Sequence, residues 1–304
     1  MSNASPSASP HIAVVILTWN GRALTLACLE SLESARTPDT RIIVVDNGSS
    51  DGTADAVRER YGERVVVLEN ESNLGFSEGN NAGISFALEQ GARFVLLLNN
   101  DTTVDANFLV ELVRPMVDNP NVGITVPKIY YYTPSNRIWF AGGEVLLARG
   151  VARHIGIRER DVGQYDVARD TDYATGCALM TRAEVIERIG MLDGSYVAYF
   201  EDTDFSMRAR CAGYRIRYVP AARVWHKISA STGGQLSRRK ITLKFRSTWK
   251  FFLRYARPYH WLTIPFFFLA DVIRILVLVL FGRIRDTGHD TAKPPDEQNQ
   301  EKLR

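Results

Sequence analysis

Residues 42–53 read IIVVDNGSSDGT, in which a β-branched run ends in a carboxylate and continues through glycine, serine and asparagine. Short β-branched runs bounded by such turn residues are typical of buried strands. The pattern recurs on both sides, because the apolar run 12–17 leads into Thr18 and the run 94–98 leads into Asn99. Helical stretches of about ten residues separate these runs, which predicts βαβ units and a parallel sheet.

The predicted elements divide the chain into a regular first part and an irregular second part. In the first part we expect strands at 12–17, 41–45, 65–69 and 94–98, and helices at 22–34, 52–61 and 76–90. Beyond Asn100 we expect helices near 105–118, 181–189 and 202–212, strand-like runs at 122–132, 139–147 and 215–220, and a polar loop from 149 to 172. Pro220 should end the last of these strands. The second part is therefore expected to continue the same α/β sheet.

Composition excludes several classes of protein. The chain has 304 residues, of which 45% are hydrophobic and 23% are charged, as in globular enzymes and unlike disulfide miniproteins, collagen or fully disordered chains. Its three cysteines, Cys28, Cys177 and Cys211, form no Cys-x-x-Cys pair, so neither a disulfide framework nor a structural zinc site is indicated. Residues 1–10 lack the basic n-region of a signal peptide and are expected to be a disordered leader.

The charge is unevenly distributed along the chain. No Asp or Glu lies between Asp204 and Asp271, whereas fourteen Lys or Arg residues do. This asymmetry indicates an anionic partner such as a membrane or a nucleic acid, and a solvated basic face is the alternative. Residues 243–255 mix Phe and Trp with Lys and Arg, a pattern typical of a basic interfacial helix. The long apolar run that follows makes a bilayer a simpler partner than nucleic acid.

The apolar run at 261–281 is long enough to cross a membrane. Asp271 and Arg274 make a full crossing costly, so a monotopic or re-entrant segment is favoured, and a buried C-terminal helix remains the soluble alternative. We therefore expect a catalytic domain at 11–235, membrane-associated helices at 236–285 and a disordered tail at 286–304.

Polar, short side chains follow four of the predicted strands. They include Thr18 and Asn20 after the first strand, Asp46 and Asn47 after the second, the segment 70–75 after the third, and Asn99, Asn100 and Asp101 after the fourth. Ligands bind at the carboxyl ends of strands in open α/β sheets. Each motif alone also makes ordinary turns and caps, but four together predict a binding site.

In order and spacing, these motifs resemble family 2 glycosyltransferases of the rhamnosyltransferase-like branch. The motifs are Leu17-Thr18-Trp19-Asn20, Asp46-Asn47-Gly48-Ser49-Ser50-Asp51-Gly52-Thr53, Asn73-Leu74-Gly75-Phe76, Asn80-Asn81-Ala82-Gly83, Asn99-Asn100-Asp101 and Glu201-Asp202-Thr203-Asp204. The resemblance covers about residues 12 to 230. It implies the GT-A fold, a Rossmann-like mixed sheet flanked by helices, with a nucleotide-diphosphate sugar donor, a divalent metal and inversion at the anomeric carbon.

The resemblance assigns the donor nucleotide to the ends of the first three strands. Asp46 would accept a hydrogen bond from a pyrimidine base, and Thr18 and Asn20 would line the base and ribose pocket. The remaining nucleotide contacts implied by the resemblance come from Asn47, Asn73, Gly75 and Asn80. As alternatives, Asp46 would only cap the helix that begins near Asp51, and Gly75 would only supply a positive φ.

The resemblance also implies a metal site. Asn99, Asn100 and Asp101 match the family's Asp-x-Asp motif, with Asn in place of the first acid, so Asp101 is the one carboxylate there that could bind a divalent cation directly. His226 matches a second ligand found in some relatives. Imidazole favours Mn²⁺ over Mg²⁺, although a lone histidine is more often structural.

The acids at 201–204 lie at the start of a predicted helix, where the macrodipole alone favours negative charge. The resemblance makes Asp202 the general base, with Glu201 and Asp204 next in line for that role. Thr175 and Gly176 resemble the loop beneath the donor sugar or acceptor. An inverting single displacement needs no covalent intermediate, so Cys177 is not expected to be a nucleophile.

The resemblance, together with the basic and apolar C-terminal stretches, leads to the hypothesis of an inverting glycosyltransferase at the cytoplasmic face of a membrane. It would transfer rhamnose or another dTDP- or UDP-linked sugar to a lipid-linked or polysaccharide acceptor in cell-envelope glycan synthesis. A sugar nucleotidyltransferase is an alternative, but no glycine-rich triphosphate loop follows the first strand. A non-catalytic membrane-associated carbohydrate-binding or scaffold protein is a further alternative, against which the retention of Asp101, Asp202 and His226 argues.

Tyr199 and Trp225 are candidates to stack on sugar rings.

Overall fold

A computed structural model describes residues 12–196, 198–227 and 238–280. The chain forms two compact units. The first contains the described residues up to Leu147 together with Val151–Tyr255, and the second contains Ala148–Gly150 and the described residues from Ala256 onward. The expected leader at 1–10 and the expected tail at 286–304 lie outside the described residues.

The structure alternates strands and helices through its first hundred residues, as predicted. The strands are β1 (Ile12–Thr18), β2 (Thr40–Asp46), β3 (Val65–Glu69), β4 (Phe94–Leu98), β5 (Thr102–Val104), β6 (Val122–Tyr131), β7 (Ile138–Phe140), β8 (Gly143–Leu146), β9 (Val151–His154), β10 (Arg169–Asp170), β11 (Ala178–Arg182) and β12 (Arg215–His226). The helices are α1 (Arg22–Ala35), α2 (Thr53–Tyr61), α3 (Gly75–Glu89), α4 (Phe108–Asp118), α5 (Ala183–Ile189), α6 (Glu201–Cys211), α7 (Arg238–Tyr255) and α8 (His260–Leu280).

One mixed sheet organises the first unit, with the strand order β10-β12-β6-β11-β4-β1-β2-β3. Neighbouring strands run parallel from β4 through β1 and β2 to β3, and β12 runs parallel to β6. β11 is antiparallel to both β4 and β6, between which it lies. This arrangement confirms the predicted α/β architecture and shows that the second part of the chain extends the same sheet.

The centre of the sheet is covered on both faces. Val14, Ile43 and Leu96 are completely buried, which explains why their strands are continuous apolar runs. Helix α3 approaches β1 closely at Gly83, where a Cβ atom would lie 2.4 Å from Val15 Cγ1. The glycine is therefore needed for close packing of this helix against the middle of β1.

Three elements in the second part differ from the sequence prediction. The expected helix near 181–189 is present as α5 but begins two residues later, because β11 occupies Ala178–Arg182. A short apolar run of this kind does not distinguish strand from helix by periodicity. The polar loop at 149–172 contains β9 and β10. Pro220 does not end β12, because a register shift between Val219 and Arg223 accommodates it where regular ladder bonds are interrupted.

A buried ion pair ties the chain between β9 and β10 to the sheet. Lys128 on β6 has a fully buried side chain, and its Nζ atom lies 2.9 Å from Asp161 Oδ2 and also contacts the Asp166 carboxylate. The Tyr130 hydroxyl donates to the same Asp161 oxygen at 2.5 Å. Because a buried ammonium is stable only when it is paired, these bonds hold residues 156–166 against β6.

The C-terminal helices fall in different units. α7 belongs to the first unit and α8 to the second. Within the second unit, Thr263 Oγ1 donates to the Ala148 carbonyl at 2.7 Å, and the Arg149 guanidinium lies 4.9 Å from the centroid of the Phe267 ring. Across the described part of the chain, no helix combines the length and hydropathy that a bilayer crossing requires. The monotopic or re-entrant segment stays a prediction.

Candidate active site

The carboxyl ends of the parallel strands meet at one edge of the sheet. Thr18 at the end of β1 is directly opposite Asp46 at the end of β2, which in turn is opposite Glu69 on β3. The Asn47 backbone N–H donates to the Thr18 carbonyl at 2.8 Å, and the Asn70 N–H donates to the Asp46 carbonyl at the same distance. The predicted polar motifs are therefore adjacent in space.

Asn47 organises the loop that follows β3. Its buried side chain accepts hydrogen bonds from Asn70 Nδ2 at 3.0 Å and from the Leu74 N–H at 3.1 Å. Its own amide donates to Asn73 Oδ1 at 3.0 Å and to the Gly75 carbonyl at 3.2 Å. Gly75 has a positive φ of 83°, the conformation that glycine adopts without strain. Asn47 and Asn73 therefore shape this loop, whatever ligand it covers.

Thr18 and Asn100 form a buried network below the strand ends. Thr18 Oγ1 lies 2.8 Å from Thr25 Oγ1, and Asn100 Nδ2 donates to both hydroxyls at 3.1 Å. Thr18 is only 1% exposed, so its side chain supports the pocket from beneath. Asn20 is left-handed, with a φ of 49°, and its side-chain oxygen accepts from the Ser50 N–H at 2.8 Å, joining the loops after β1 and β2.

Asp46 does not cap the following helix, which excludes the alternative that it is only a helix cap. Its Oδ1 atom accepts from the Ser49 N–H at 2.7 Å, whereas Asp51 accepts from the N–H groups of Thr53 and Arg22 at 3.1 and 3.0 Å. Asn80 is buried, and its amide donates to the Phe76 carbonyl at 2.9 Å. The nucleotide contacts assigned to Asp46 and Asn80 stay predictions.

Asp101 and His226 come together where β12 ends beside β5. His226 Nε2 lies 3.0 Å from Asp101 Oδ1, and both side chains are nine-tenths buried. Asp101 Oδ1 and His226 Nδ1 are buried and make no hydrogen bond with any described residue. Two ligands about 2.1 Å from an octahedral ion lie about 3 Å apart. Asp101 Oδ1 and His226 Nε2, which are 3.0 Å apart, therefore fit adjacent positions on a divalent cation.

The two side chains would not form a complete cage for a metal ion. Within the described ranges, no group of three or more His, Cys, Asp or Glu side chains is placed to hold one. Mg²⁺ and similar ions are commonly bound by one or two carboxylates together with substrate phosphates. The pair Asp101 and His226 therefore fits a metal that a diphosphate would also ligate. Asn99 contributes its backbone here, because its N–H donates to the Cys177 carbonyl at 2.9 Å.

The acids at the start of α6 have different surroundings. Asp202 Oδ2 accepts from the Gly176 N–H at 2.8 Å, and its Oδ1 accepts from the Thr203 N–H at 2.6 Å. Asp204 is completely buried and accepts from Arg208, Arg254 and Tyr255 at 2.8, 3.1 and 2.9 Å. Asp204 is thus committed to structure and is not available as a base, which leaves Asp202 and Glu201 facing the site.

Burial changes the acidity of both remaining acids. Burial, together with the charge of Asp202, raises the pKa of Glu201 to about 8, and Glu201 Oε2 has no hydrogen-bond partner among the described residues. Burial also raises the pKa of Asp202, although the donors from Gly176 and Thr203 oppose this effect. Because the two carboxyls interact, the proton belongs to the pair. Burial raises the pKa of the Cys177 thiol well above its usual value, which agrees with an unreactive cysteine.

Two residues immediately before α6 have left-handed backbones. Tyr199 and Phe200 have φ values of 69° and 71°. This conformation costs roughly 1–2 kcal/mol for each residue that carries a Cβ. The Phe200 carbonyl accepts the first bond of the helix, from the Asp204 N–H at 2.8 Å. These residues therefore determine the direction in which Glu201 and Asp202 leave the loop.

A cavity of about 730 Å³ opens beside the two acids. Its walls combine aromatic and basic residues with the acids, namely Trp139, His154, Tyr165, Tyr173, Tyr199, Phe200, Arg153, Lys244, Thr175, Glu201 and Asp202. Burial lowers the pKa of His154 to about 4, so this imidazole is neutral at physiological pH. The cavity has the size and lining of a small-molecule site.

Sequence reasoning missed several of the cavity residues. Trp139, His154, Tyr173 and Lys244 belong to no motif, and topology alone brings them together. Of the two aromatic residues considered for sugar stacking, Tyr199 lines the cavity. Trp225 does not, because it stacks on Tyr130 with ring centroids 5.8 Å apart.

The mixed sheet, its polar strand ends and the acid pair at the start of α6 agree with the GT-A class of nucleotide-diphospho-sugar transferases that the motifs resemble. A family model described as Glycosyl transferase family 2 matches residues 13–190. The chain belongs to glycosyl transferase family 2, as the motifs predicted.

Curated relatives include two rhamnosyltransferases. The dTDP-rhamnosyl transferase RfbF of Shigella flexneri is 25% identical over 72% of this chain and 69% of its own length. The N-acetylglucosaminyl-diphospho-decaprenol L-rhamnosyltransferase of Mycobacterium tuberculosis is 25% identical over 73% of this chain and 78% of its own length. The match to an uncharacterized protein, y4gI of Sinorhizobium fredii, is 30% identical over 74% of this chain but spans only 25% of that protein.

Solved structures share the fold. GalNAc-T7 with UDP, GalNAc and Mn²⁺ superposes with a TM-score of 0.61 at 16% identity, covering 81% of this chain and 48% of that chain. The mannosyltransferase PcManGT from Pyrobaculum calidifontis, in complex with GDP-Man and Mn²⁺, gives 0.55 at 16% identity, covering 90% and 79%. The predicted GT-A fold is confirmed.

The raised pKa of Glu201 predicts a pH-dependent contribution to stability. The buried carboxyl favours its neutral form, so the stability it contributes is complete below the unfolded pKa and is lost as pH rises through about 8. Glu201→Gln removes the charge, so its unfolding free energy relative to wild type should rise between about pH 5 and about pH 9, by at most roughly 1.4 kcal/mol per pH unit. Urea unfolding at both pH values measures this difference. Exposed Glu63→Gln is the control, and an equal change in both variants would contradict the prediction.

Proposed function

We propose that the protein is an inverting glycosyltransferase that moves a sugar from a nucleotide-diphosphate donor to a hydroxyl of a lipid-linked glycan acceptor. The observation that carries this proposal is the placement of Asp202. Its carboxylate is anchored by the Gly176 N–H at 2.8 Å, and it lines the 730 Å³ cavity beside the strand ends. Gly176 leads into β11 beside β4, so this base lies between the strand edge and the cavity, where it could take a proton from an acceptor bound in the cavity.

In the proposed reaction, Asp202 accepts the proton of the acceptor hydroxyl. The acceptor oxygen forms a bond to the anomeric carbon as the bond from that carbon to the diphosphate oxygen breaks, and the nucleoside diphosphate leaves with the electron pair. The hydrogen bonds from Gly176 and Thr203 hold both carboxylate oxygens in place, so the base is oriented before substrate binds. The raised pKa of the acid pair brings its proton affinity nearer to neutral pH.

We assign the donor to the edge formed by the ends of β1, β2, β3 and β4. Asp46 and Asn20 would contact the base and ribose, and Asn73, Gly75 and Asn80 would close over them. Asp101 and His226 would hold a divalent cation, with Mn²⁺ or Mg²⁺ neutralising the charge of the leaving diphosphate when bound. Two structural neighbours were solved in complex with Mn²⁺, which supports this assignment.

The named relatives support rhamnose from a dTDP donor as the first sugar to test, with UDP-linked sugars next. The M. tuberculosis relative acts on an N-acetylglucosaminyl-diphospho-decaprenol, which supports a polyprenyl-diphosphate-linked N-acetylhexosamine as the acceptor. Trp139, Tyr173 and Tyr199 give the cavity aromatic faces suited to a sugar ring, and Lys244 and Arg153 add positive charge suited to a phosphate.

The outer side of α7 supports a location at the cytoplasmic face of a membrane. Phe245 and Leu253 are 68% and 58% exposed and lie eight residues apart, on one stripe of the helix that also includes Trp249. Arg246 is exposed beside this stripe, and α7 contains no acidic residue. A helix with an apolar stripe bordered by cations fits an anionic lipid surface.

Asp202→Asn should retain nucleotide binding and lose transfer by about 10²–10⁴-fold, because the amide cannot accept the acceptor proton. Release of dTDP or UDP in the presence of a polyprenyl-diphosphate N-acetylglucosamine measures transfer, and calorimetric titration measures binding. Asp39→Asn, a matched change in an exposed turn, should leave both unchanged. Transfer by Asp202→Asn at the rate of Asp39→Asn would remove Asp202 from the mechanism.

The metal assignment predicts a metal-dependent nucleotide affinity. Titration of the full chain with UDP, dTDP and GDP should show tighter binding of at least one nucleotide when Mn²⁺ is present. Asp101→Asn and His226→Gln should each reduce this enhancement, because each removes a direct ligand and leaves the nucleotide edge intact. Binding that is equally tight with and without Mn²⁺ in wild type would refute the metal site while leaving the fold assignment in place.

The membrane location predicts that wild-type protein floats with phosphatidylglycerol vesicles in a density gradient. Replacing both Phe245 and Leu253 by glutamate should abolish flotation, because the change removes apolar area and places negative charge against an anionic surface. Val117→Glu on α4 is the control, since Val117 is 66% exposed but lies on another helix. Flotation of the double variant together with the control would rule out α7 as the lipid-binding element.

A further inference from the structure

The strained segment before the acid pair needs support from its surroundings. Tyr199 and Phe200 are consecutive left-handed residues, and neither is glycine. Such conformations persist only where neighbouring structure holds them, and they concentrate at functional sites. Here the strained residues directly precede Glu201 and Asp202, so whatever holds them also holds the acids.

Helix α7 supplies that support at the middle of the segment. Ser247 is 6% exposed, and its Oγ atom donates to the Ala198 carbonyl at 2.7 Å. Phe251 and Phe252 are 0% and 3% exposed, with ring centroids 5.0 and 6.2 Å from that of Phe200. One hydrogen bond and two aromatic contacts therefore reach the residues on either side of Tyr199 from a single helix.

The same helix also holds both ends of the segment. At one end, Lys250 Nζ and Arg254 Nη1 lie 3.3 and 3.2 Å from Asp193 Oδ2. At the other end, Arg254 Nη1 and the Tyr255 hydroxyl reach Asp204 Oδ1, at 3.1 and 2.9 Å. Because Asp204 lies in the first turn of α6, these bonds fix the beginning of the helix that carries Asp202.

We propose that α7 is a positioning element of the active site, and that Ser247 is its principal positioning residue. Ser247 acts on Asp202 through the backbone of residues 198–200 and does not itself touch substrate. This inference rests on the proposed function, since it assumes that Asp202 is the base. α7 begins at Arg238, beyond the residues 13–190 that the family model matches, so the family motifs contain no sign of this role.

Ser247 should affect the rate of sugar transfer and leave the affinity for the nucleotide unchanged. The nucleotide edge is built from the ends of β1, β2, β3 and β4, none of which Ser247 contacts through a hydrogen bond among the described residues. Loss of the bond to Ala198 should thus leave nucleotide affinity unchanged. A displacement of the base by about 1 Å can cost about 10²-fold in rate, so kcat should respond.

The test compares three variants of the full chain. Ser247→Ala removes the bond to Ala198, and Ser247→Thr keeps a hydroxyl at the same position. Thr248→Ala removes a hydroxyl whose hydrogen bond, among the described residues, goes to the Lys244 carbonyl within α7 at 2.7 Å. Ser247→Ala should lower kcat by about 10- to 100-fold with the nucleotide dissociation constant unchanged. Ser247→Thr should recover most of the loss, and Thr248→Ala should resemble wild type.

Thermal unfolding of each variant separates loss of positioning from loss of fold. A kcat for Ser247→Ala equal to that of Thr248→Ala would overturn the proposal, as would a parallel loss of nucleotide affinity. Failure of the proposed function gives a different result, because wild type and Asp202→Asn would then show the same absence of transfer. A wild-type enzyme that transfers sugar and depends on Asp202 but is insensitive to Ser247 would refute the positioning role alone.

Discussion

The hydrogen bond from the Gly176 N–H to Asp202 Oδ2, 2.8 Å long, joins the edge of the sheet to helix α6, the two parts of the fold that supply the site. Gly176 lies in the turn that leads into β11, beside the strand whose end carries Asp101, and Asp202 lies in the first turn of α6. A largely desolvated carboxylate is stable only when donors replace its lost water, so this bond is needed for the acid to occupy its position. The sheet edge and the helix are thereby held in one fixed relation.

Much of the donor side could be predicted from sequence, because short β-branched strands and glycine-rich turns have local causes. The strand ends at Thr18, Asp46 and Asn99 followed from that pattern. The cavity did not, because Trp139, His154 and Tyr173 become neighbours only through the β8–β9 hairpin and its attachment to the sheet. The left-handed pair at Tyr199 and Phe200 was equally invisible, because aromatic residues carry no propensity for that conformation.

Helix α7 has two different sides, one packed against the segment before the acids and one exposed. Its inner side is aromatic and hydroxyl-bearing and packs against residues 198–204 through Ser247, Phe251 and Tyr255. Its outer side is apolar and basic, with Phe245 exposed. The sequence predicted the basic and apolar character of the outer side, because an excess of one charge can be seen in a short stretch of residues without knowing the fold. The inner side depends on contacts with a segment more than forty residues earlier, which no local pattern records.

The buried Lys128 has a consequence for how such enzymes diversify. The chain between β7 and β11 supplies much of the cavity wall, and it is attached to the sheet by the pairing of β10 with β12 and by the ionic contacts of Lys128 with Asp161 and Asp166. Because both attachments lie on β6 and β12, away from the ends of β1, β2 and β3, we expect changes in that chain that keep them to leave the strand edge undisturbed. If the cavity holds the acceptor and the strand edge holds the donor, as proposed, acceptor choice and donor choice are separable under selection, and a gene duplicate can change one while inheriting the other.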